Sequence, residues 1–126
     1  MALSAPTMSK EDELLKTVVE TWAPRNGYTE VRANLEGYEL PAALSNKESE
    51  DRIQPDIMAV KRGARWYIEI VRKDTDVEKT VSKWKLLSVL GANKGGGLVL
   101  IAPSGTVAFA ERMLKKYDIQ AQVVKF

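Results

Sequence analysis

The run Leu98-Val99-Leu100-Ile101-Ala102 is apolar without interruption, between Gly95-Gly96-Gly97 on one side and Pro103-Ser104-Gly105 on the other. That is strand length rather than helix length, and a strand with no polar alternation is apolar on both faces. It has to be covered above and below, so the chain must supply helices to both sides of a sheet. A length of 126 residues provides material for one layered core of this kind.

The flanking sequence divides into elements that meet this demand. Residues 1–8 read as a loose tail and 9–126 as a single domain. Ser9 followed by Asp12 resembles a capping box, opening a helix to about Ala23 with Leu14, Leu15, Val18, Val19 and Trp22 on one stripe; Pro24 and Gly27 are expected to stop it. Tyr28 to about Leu40 reads as a strand with a bend at Gly37, and 41–54 as a long polar surface loop carrying Asn46-Lys47-Glu48-Ser49-Glu50-Asp51. Asp56–Lys61 and Trp66–Arg72 flank the turn Arg62-Gly63-Ala64-Arg65 and form a hairpin. Thr75 with Glu78 caps a helix to about Leu90; after the apolar strand come a helix over 106–117 and a strand over 119–126. The order α-β-β-β-α-β-α-β predicts an α/β fold. The early strands are antiparallel, a parallel β-α-β unit spans 66–102, and helices lie on both faces of a mixed sheet.

Composition narrows the chemistry. With no cysteine and no histidine, disulfides, thiolate zinc sites, cysteine nucleophiles, serine–histidine triads and imidazole bases are all excluded. What remains is carboxylates, lysines, hydroxyls, or a hard metal held by oxygen. No apolar run reaches the ~20 residues of a bilayer span, and the start lacks a secretory pattern, so a soluble cytoplasmic protein with no membrane contact is expected. Residues 1–56 hold 6 basic and 11 acidic side chains, whereas 57–126 hold 13 basic and 6 acidic. A basic half can face nucleic acid; the plainer alternative is an unevenly charged solvated surface.

Pro55-Asp56 opens one arm of the hairpin, and Glu69 lies in the other. Folding about the turn can bring the two acids together. Strand parity places Tyr67, Glu69 and Val71 on one face. A carboxylate inside an apolar strand is costly unless it is paired or cation-bound. Glu69 can pair with an arginine such as Arg32, can sit at an exposed edge, or can share Mg2+ or Mn2+ with Asp56. The triple glycine precedes a strand and lacks a following Gly-Lys-Ser/Thr, so it is no phosphate loop but a flexible link. Trp66 and Trp84 fit a core better than a base-stacking platform.

These residues, Pro-Asp on one strand and Glu on the next within an αβββαβ order, resemble the PD-(D/E)XK nuclease superfamily, which has the restriction-endonuclease-like fold and includes archaeal Holliday-junction resolvases. The resemblance covers about residues 9–102. It implies a metal-dependent nuclease acting on DNA or RNA in repair, recombination or defence, with Asp56 and Glu69 as catalytic metal ligands and Mg2+ or Mn2+ as cofactor. Since such resolvases are commonly dimers, it also implies a homodimer. The family's lysine, two residues past the acid, is Val71 here. Lys73 has the parity but lies ~13 Å along the strand, and Arg72 points to the opposite face. Some relatives take the lysine from the following helix, where Lys79 and Lys83 stand one turn apart; the alternative for both is a solvated helix face. Glu11 matches the acid that many members add from the first helix, though a first-turn acid also suits the helix dipole. Lys61, Arg62, Arg65, Arg72 and Lys73, in a segment 61–94 that is net +5, are candidate phosphate contacts around the site. Val71 also admits an inactive pseudo-nuclease that binds nucleic acid or protein. A third reading is a small α/β protein that dimerises through its sheet.

Overall fold

A computed structural model describes residues 9–45, 52–73 and 76–126. The expected tail (1–8), the acidic loop segment 46–51 and the expected cap Thr75 lie outside the described residues.

Helix α1 (Lys10–Thr17) starts on Ser9, whose Oγ accepts the Asp12 N–H at 3.0 Å. It runs on through a π turn (Val18–Trp22) into the short α2 (Ala23–Arg25). In that turn the Ala23 N–H reaches back five residues to the Val18 carbonyl. The widening has a cause in the sequence. The next residue is Pro24, which has no N–H to give and whose ring would crowd the carbonyl four residues before it. Pro24 therefore sits within the helical segment instead of stopping it, and Gly27 (φ +84°) makes the exit.

Strand β1 (Thr29–Ala33) is shorter than the sequence suggested. Glu30, at φ +49°, bulges the chain between Thr29 and Arg32, and a turn around Leu35–Tyr38 with Gly37 at φ +91° follows. The segment read as loop contains a two-residue ribbon, β2 (Leu44–Ser45) against β3 (Arg52–Ile53). Strands this short carry no periodicity to read. The hairpin, β4 (Ile57–Lys61) and β5 (Ala64–Ile70), closes through Arg62 (φ +53°) and Gly63 (φ +76°), the paired left-handed residues of a type I′ turn. Its register runs from Lys61↔Ala64 to Ile57↔Ile68.

Helix α3 (Val77–Asn93) then crosses to β6 (Gly97–Ala102), which lies parallel to β5. Its cap is Asp76, whose Oδ1 accepts the Glu78 and Lys79 N–H groups. Helix α4 (Val107–Lys116) leads to β7 (Gln122–Lys125), parallel to β6. The mixed sheet has the order β1-β4-β5-β6-β7.

Strand alternation splits the core into two layers. Ile57, Ala59, Ile68, Ile70, Val99 and Ile101 face α1, where Leu15, Val18 and Val19 cover them. Met58, Tyr67, Val71, Leu98 and Leu100 face α3 and α4, under Val81, Trp84, Leu87 and Phe109. Trp84 is core and Trp66 packs partly buried on the α1 side, so neither is a free stacking platform. Strand β6 is buried on both faces, as its unbroken apolar run requires. The glycines before it are not slack. A Cβ on Gly91 would meet the Gly97 carbonyl oxygen at 2.5 Å, and one on Gly96 would strike the Arg65 carbonyl. They let α3 and its exit lie directly against the strands.

Candidate active site

One step beyond the Ile57↔Ile68 pair, the regular ladder between β4 and β5 gives way to side chains. Asp56 comes opposite Glu69, and the two exchange contacts through their carboxylates. The Asp56 N–H donates to Glu69 Oε2 at 2.6 Å, and the Ile70 N–H donates to Asp56 Oδ2 at 3.0 Å. Each acid thus takes a backbone N–H that the splaying strands would leave unpaired. Both are buried, Asp56 at 6% exposure and Glu69 at 2%.

Two cations answer the two charges. Lys83, from α3, places Nζ 2.7 Å from Glu69 Oε1. This pairing follows from phase. Glu69 shares the face of Tyr67 and Val71, over which α3 lies, and Lys83 is next to the buried Trp84 on that helix. Lys79, one turn earlier, lines the same cleft of about 150 Å³ with Thr80 and Trp84. Arg32 does not reach Glu69; it pairs with Glu39 at 3.7 Å.

Arg72 behaves in a way that strand parity does not foretell. It belongs by alternation to the α1 face but lies past the last paired residue, so its side chain curls round the strand end. Nη1 donates to Asp56 Oδ2 (3.0 Å) and to the Ile70 carbonyl (3.2 Å), and Nη2 donates to Asp56 Oδ1 (3.4 Å). Its Nε meets Glu11 Oε2 at 3.1 Å. Glu11 therefore joins the cluster through Arg72. Arg72, a candidate phosphate contact from the sequence, sits inside the acidic cluster. Its signal in the sequence is only that it is the first long cation after the strand.

Burial, and next the charge of Asp56, push the Glu69 carboxyl up to about 7, although Lys83 and the Asp56 N–H pull it down. For Arg72 burial disfavours the charge, but Asp56 and Glu11 outweigh it and hold the guanidinium more firmly protonated than in a free arginine.

The expected surface cations divide. Lys61, Arg62 and Arg65 stand at the hairpin tip; Lys61 is five residues along β4 from Asp56, about 17 Å at ~3.4 Å per residue, and Arg65 lies opposite Val60. They therefore do not surround the acids as expected. Lys61 lies over the Tyr28 ring at 5.1 Å, and with Arg62, Trp66 and Gly95 it edges a separate depression of about 300 Å³. Lys73 lies just past Arg72, at the acidic end.

The donor chemistry suits Mg2+ or Mn2+, which take carboxylate oxygens. In this arrangement, however, every carboxylate oxygen of Asp56 and Glu69 has a protein partner. Among the described residues, no three acidic side chains are grouped to hold an ion. No helix among them is long and apolar enough to cross a membrane.

No known protein family matches the chain, nor does any curated protein. Among solved structures, the chain is similar to the crystal structure of a repair endonuclease from Pyrococcus abyssi, at 18% identity and a TM-score of 0.50. The likeness covers 98% of this chain and 49% of that one, so this chain spans about half the length of that endonuclease. At this identity the likeness concerns architecture. The five-stranded mixed sheet with helices on both faces is that of a restriction-endonuclease-like core.

Proposed function

We propose that this chain is a PD-(D/E)XK-type phosphodiesterase acting on DNA, with Asp56, Glu69 and Lys83 as its catalytic residues. The observation that carries this reading is the meeting of Lys83 Nζ with Glu69 Oε1 at 2.7 Å beside Asp56. An ammonium from α3 thus stands against the second acid, where Val71 leaves the usual lysine position apolar. The fold it shares with a repair endonuclease supports the same reading.

Asp56 and Glu69 would hold Mg2+ or Mn2+, with Glu11 tied to them through Arg72. Bound there, the ion supplies a Lewis acid that neutralises phosphodiester charge and lowers the pKa of a bound water. The protein's own groups do the rest. Lys83 donates hydrogen bonds beside Glu69 and can orient a water there. Lys79, across the cleft, offers a positive charge to a phosphate.

The test is cleavage of single-stranded, duplex and branched DNA, and of RNA, with magnesium and with manganese. Because both acids also accept backbone N–H groups, alanine at either position would leave a buried donor unpaired, at a cost of about 1–3 kcal/mol. The informative variants are therefore Asp56→Asn and Glu69→Gln, which keep an acceptor oxygen. Each is expected to abolish cleavage while melting cooperatively, and Lys83→Met is expected to do the same. Cleavage that survives in all three overturns the assignment. The pseudo-nuclease reading is favoured by a specific observation, the arginine clamp on Asp56. DNA binding without turnover on every substrate supports it.

A further inference from the structure

We propose that Arg72 is a built-in cation that holds the place of the divalent ion, so that an ion enters only by displacing it. The inference rests on the nuclease reading of the acids and adds a role for a residue which that reading does not use.

Among the described residues the guanidinium meets both carboxylate oxygens of Asp56, the Ile70 carbonyl, and Glu11 Oε2. Those are hard oxygens, anionic or carbonyl, converging on one positive centre, which is the ligand type that Mg2+ and Mn2+ select. Lys83 neutralises Glu69 separately. Among the described residues Arg72 pairs with Asp56 and Glu11 and Lys83 pairs with Glu69, so an incoming divalent ion competes directly with the guanidinium for Asp56. Arginine is suited to such a post because its fork matches a carboxylate with two bonds.

A purely structural Arg72 and a competing Arg72 make opposite predictions for metal affinity. If the arginine merely supports Asp56, its removal disorders the acids and weakens binding. If it competes, its removal strengthens binding. Mn2+ is titrated into the full chain while the free ion is followed by its electron paramagnetic resonance signal. Arg72→Gln is expected to bind Mn2+ roughly tenfold or more tightly than the unaltered protein, because the binding-competent state no longer has to be freed of the guanidinium. Adding Asp56→Asn to that variant is expected to erase the gain. Equal or weaker binding by Arg72→Gln overturns the proposal.

Should Arg72→Gln fail to fold alone, its melting is followed with manganese present. Recovery of a cooperative transition supports displacement, and no recovery overturns it. The two readings fail separately. Tighter Mn2+ binding without cleavage of any substrate removes the nuclease and leaves the competing arginine, whereas cleavage with unchanged affinity in Arg72→Gln does the reverse.

Discussion

Glu69 is the residue under greatest tension. Its folded form holds a proton up to about pH 7, whereas an unfolded glutamate releases it near 4.5. The folded state therefore binds the proton more tightly, and stability from this group is full below pH 4.5 and falls as pH rises to 7. The loss is on the order of 3 kcal/mol. Urea unfolding at a series of pH values is expected to show this decline in the unaltered protein relative to Glu69→Gln; a constant difference between the two across that window would contradict it. The acids themselves were legible, because Pro55-Asp56 and a carboxylate inside an apolar strand are both costly and local signals. Lys79 and Lys83 were legible only as a pair, since choosing between them needs the rotation of α3 over the sheet. The hold of Arg72 on Asp56 was not legible, because alternation governs only residues inside a strand and Arg72 lies beyond one. Val71 is 2% exposed beneath α3 and α4, and a charge at that position would be buried at a cost of several kcal/mol.

At the level of elements, the hairpin and α3 make the site, and their meeting depends on close backbone approach. Gly91 lets α3 pass against Gly97 at the start of β6, which fixes how far Lys83 reaches over β5. Gly91→Ala is expected to cost about 1–3 kcal/mol by overpacking, read as a lowered urea midpoint with unchanged slope. A midpoint equal to that of the unaltered protein would mean the helix has room to shift. The hairpin, the parallel unit and the doubly covered β6 could be read from periodicity and turn residues, because burial on one or two faces dictates the pattern. The short β1 could not. Its alternating stretches reach towards Leu40, yet the left-handed Glu30 interrupts the pairing near its start and the turn at Gly37 follows its end at Ala33. The cap of α3 is Asp76, whose carboxylate accepts the Glu78 and Lys79 N–H groups. Pro24 misled in the other direction, since a π turn absorbs it.

Over the whole molecule, basic charge stands at both ends of the hairpin, with Arg72 and Lys83 on the acids and a separate group at the turn. The acidic cluster lies where the strands begin and end, and Lys61, Arg62 and Arg65 lie at the tip. The charge asymmetry of the sequence was legible, but which cations stood near the acids was not, because that depends on the direction of each strand. If DNA follows the hairpin, Arg62→Glu with Arg65→Glu is expected to weaken DNA binding and flatten its dependence on salt between about 50 and 200 mM. Mn2+ affinity should stay unchanged, because the tip does not touch Asp56. Fluorescence anisotropy checks the first expectation and the resonance titration the second; an unaltered salt slope would remove the tip from the interface. The separation of tip and acids also acts as a ruler. A duplex rises about 3.4 Å per base step, so a strand laid along this hairpin with its scissile linkage over Asp56 meets the tip about five steps away. Oligonucleotides trimmed closer than that on the tip side would lose their distal anchor while still presenting the bond to be cut.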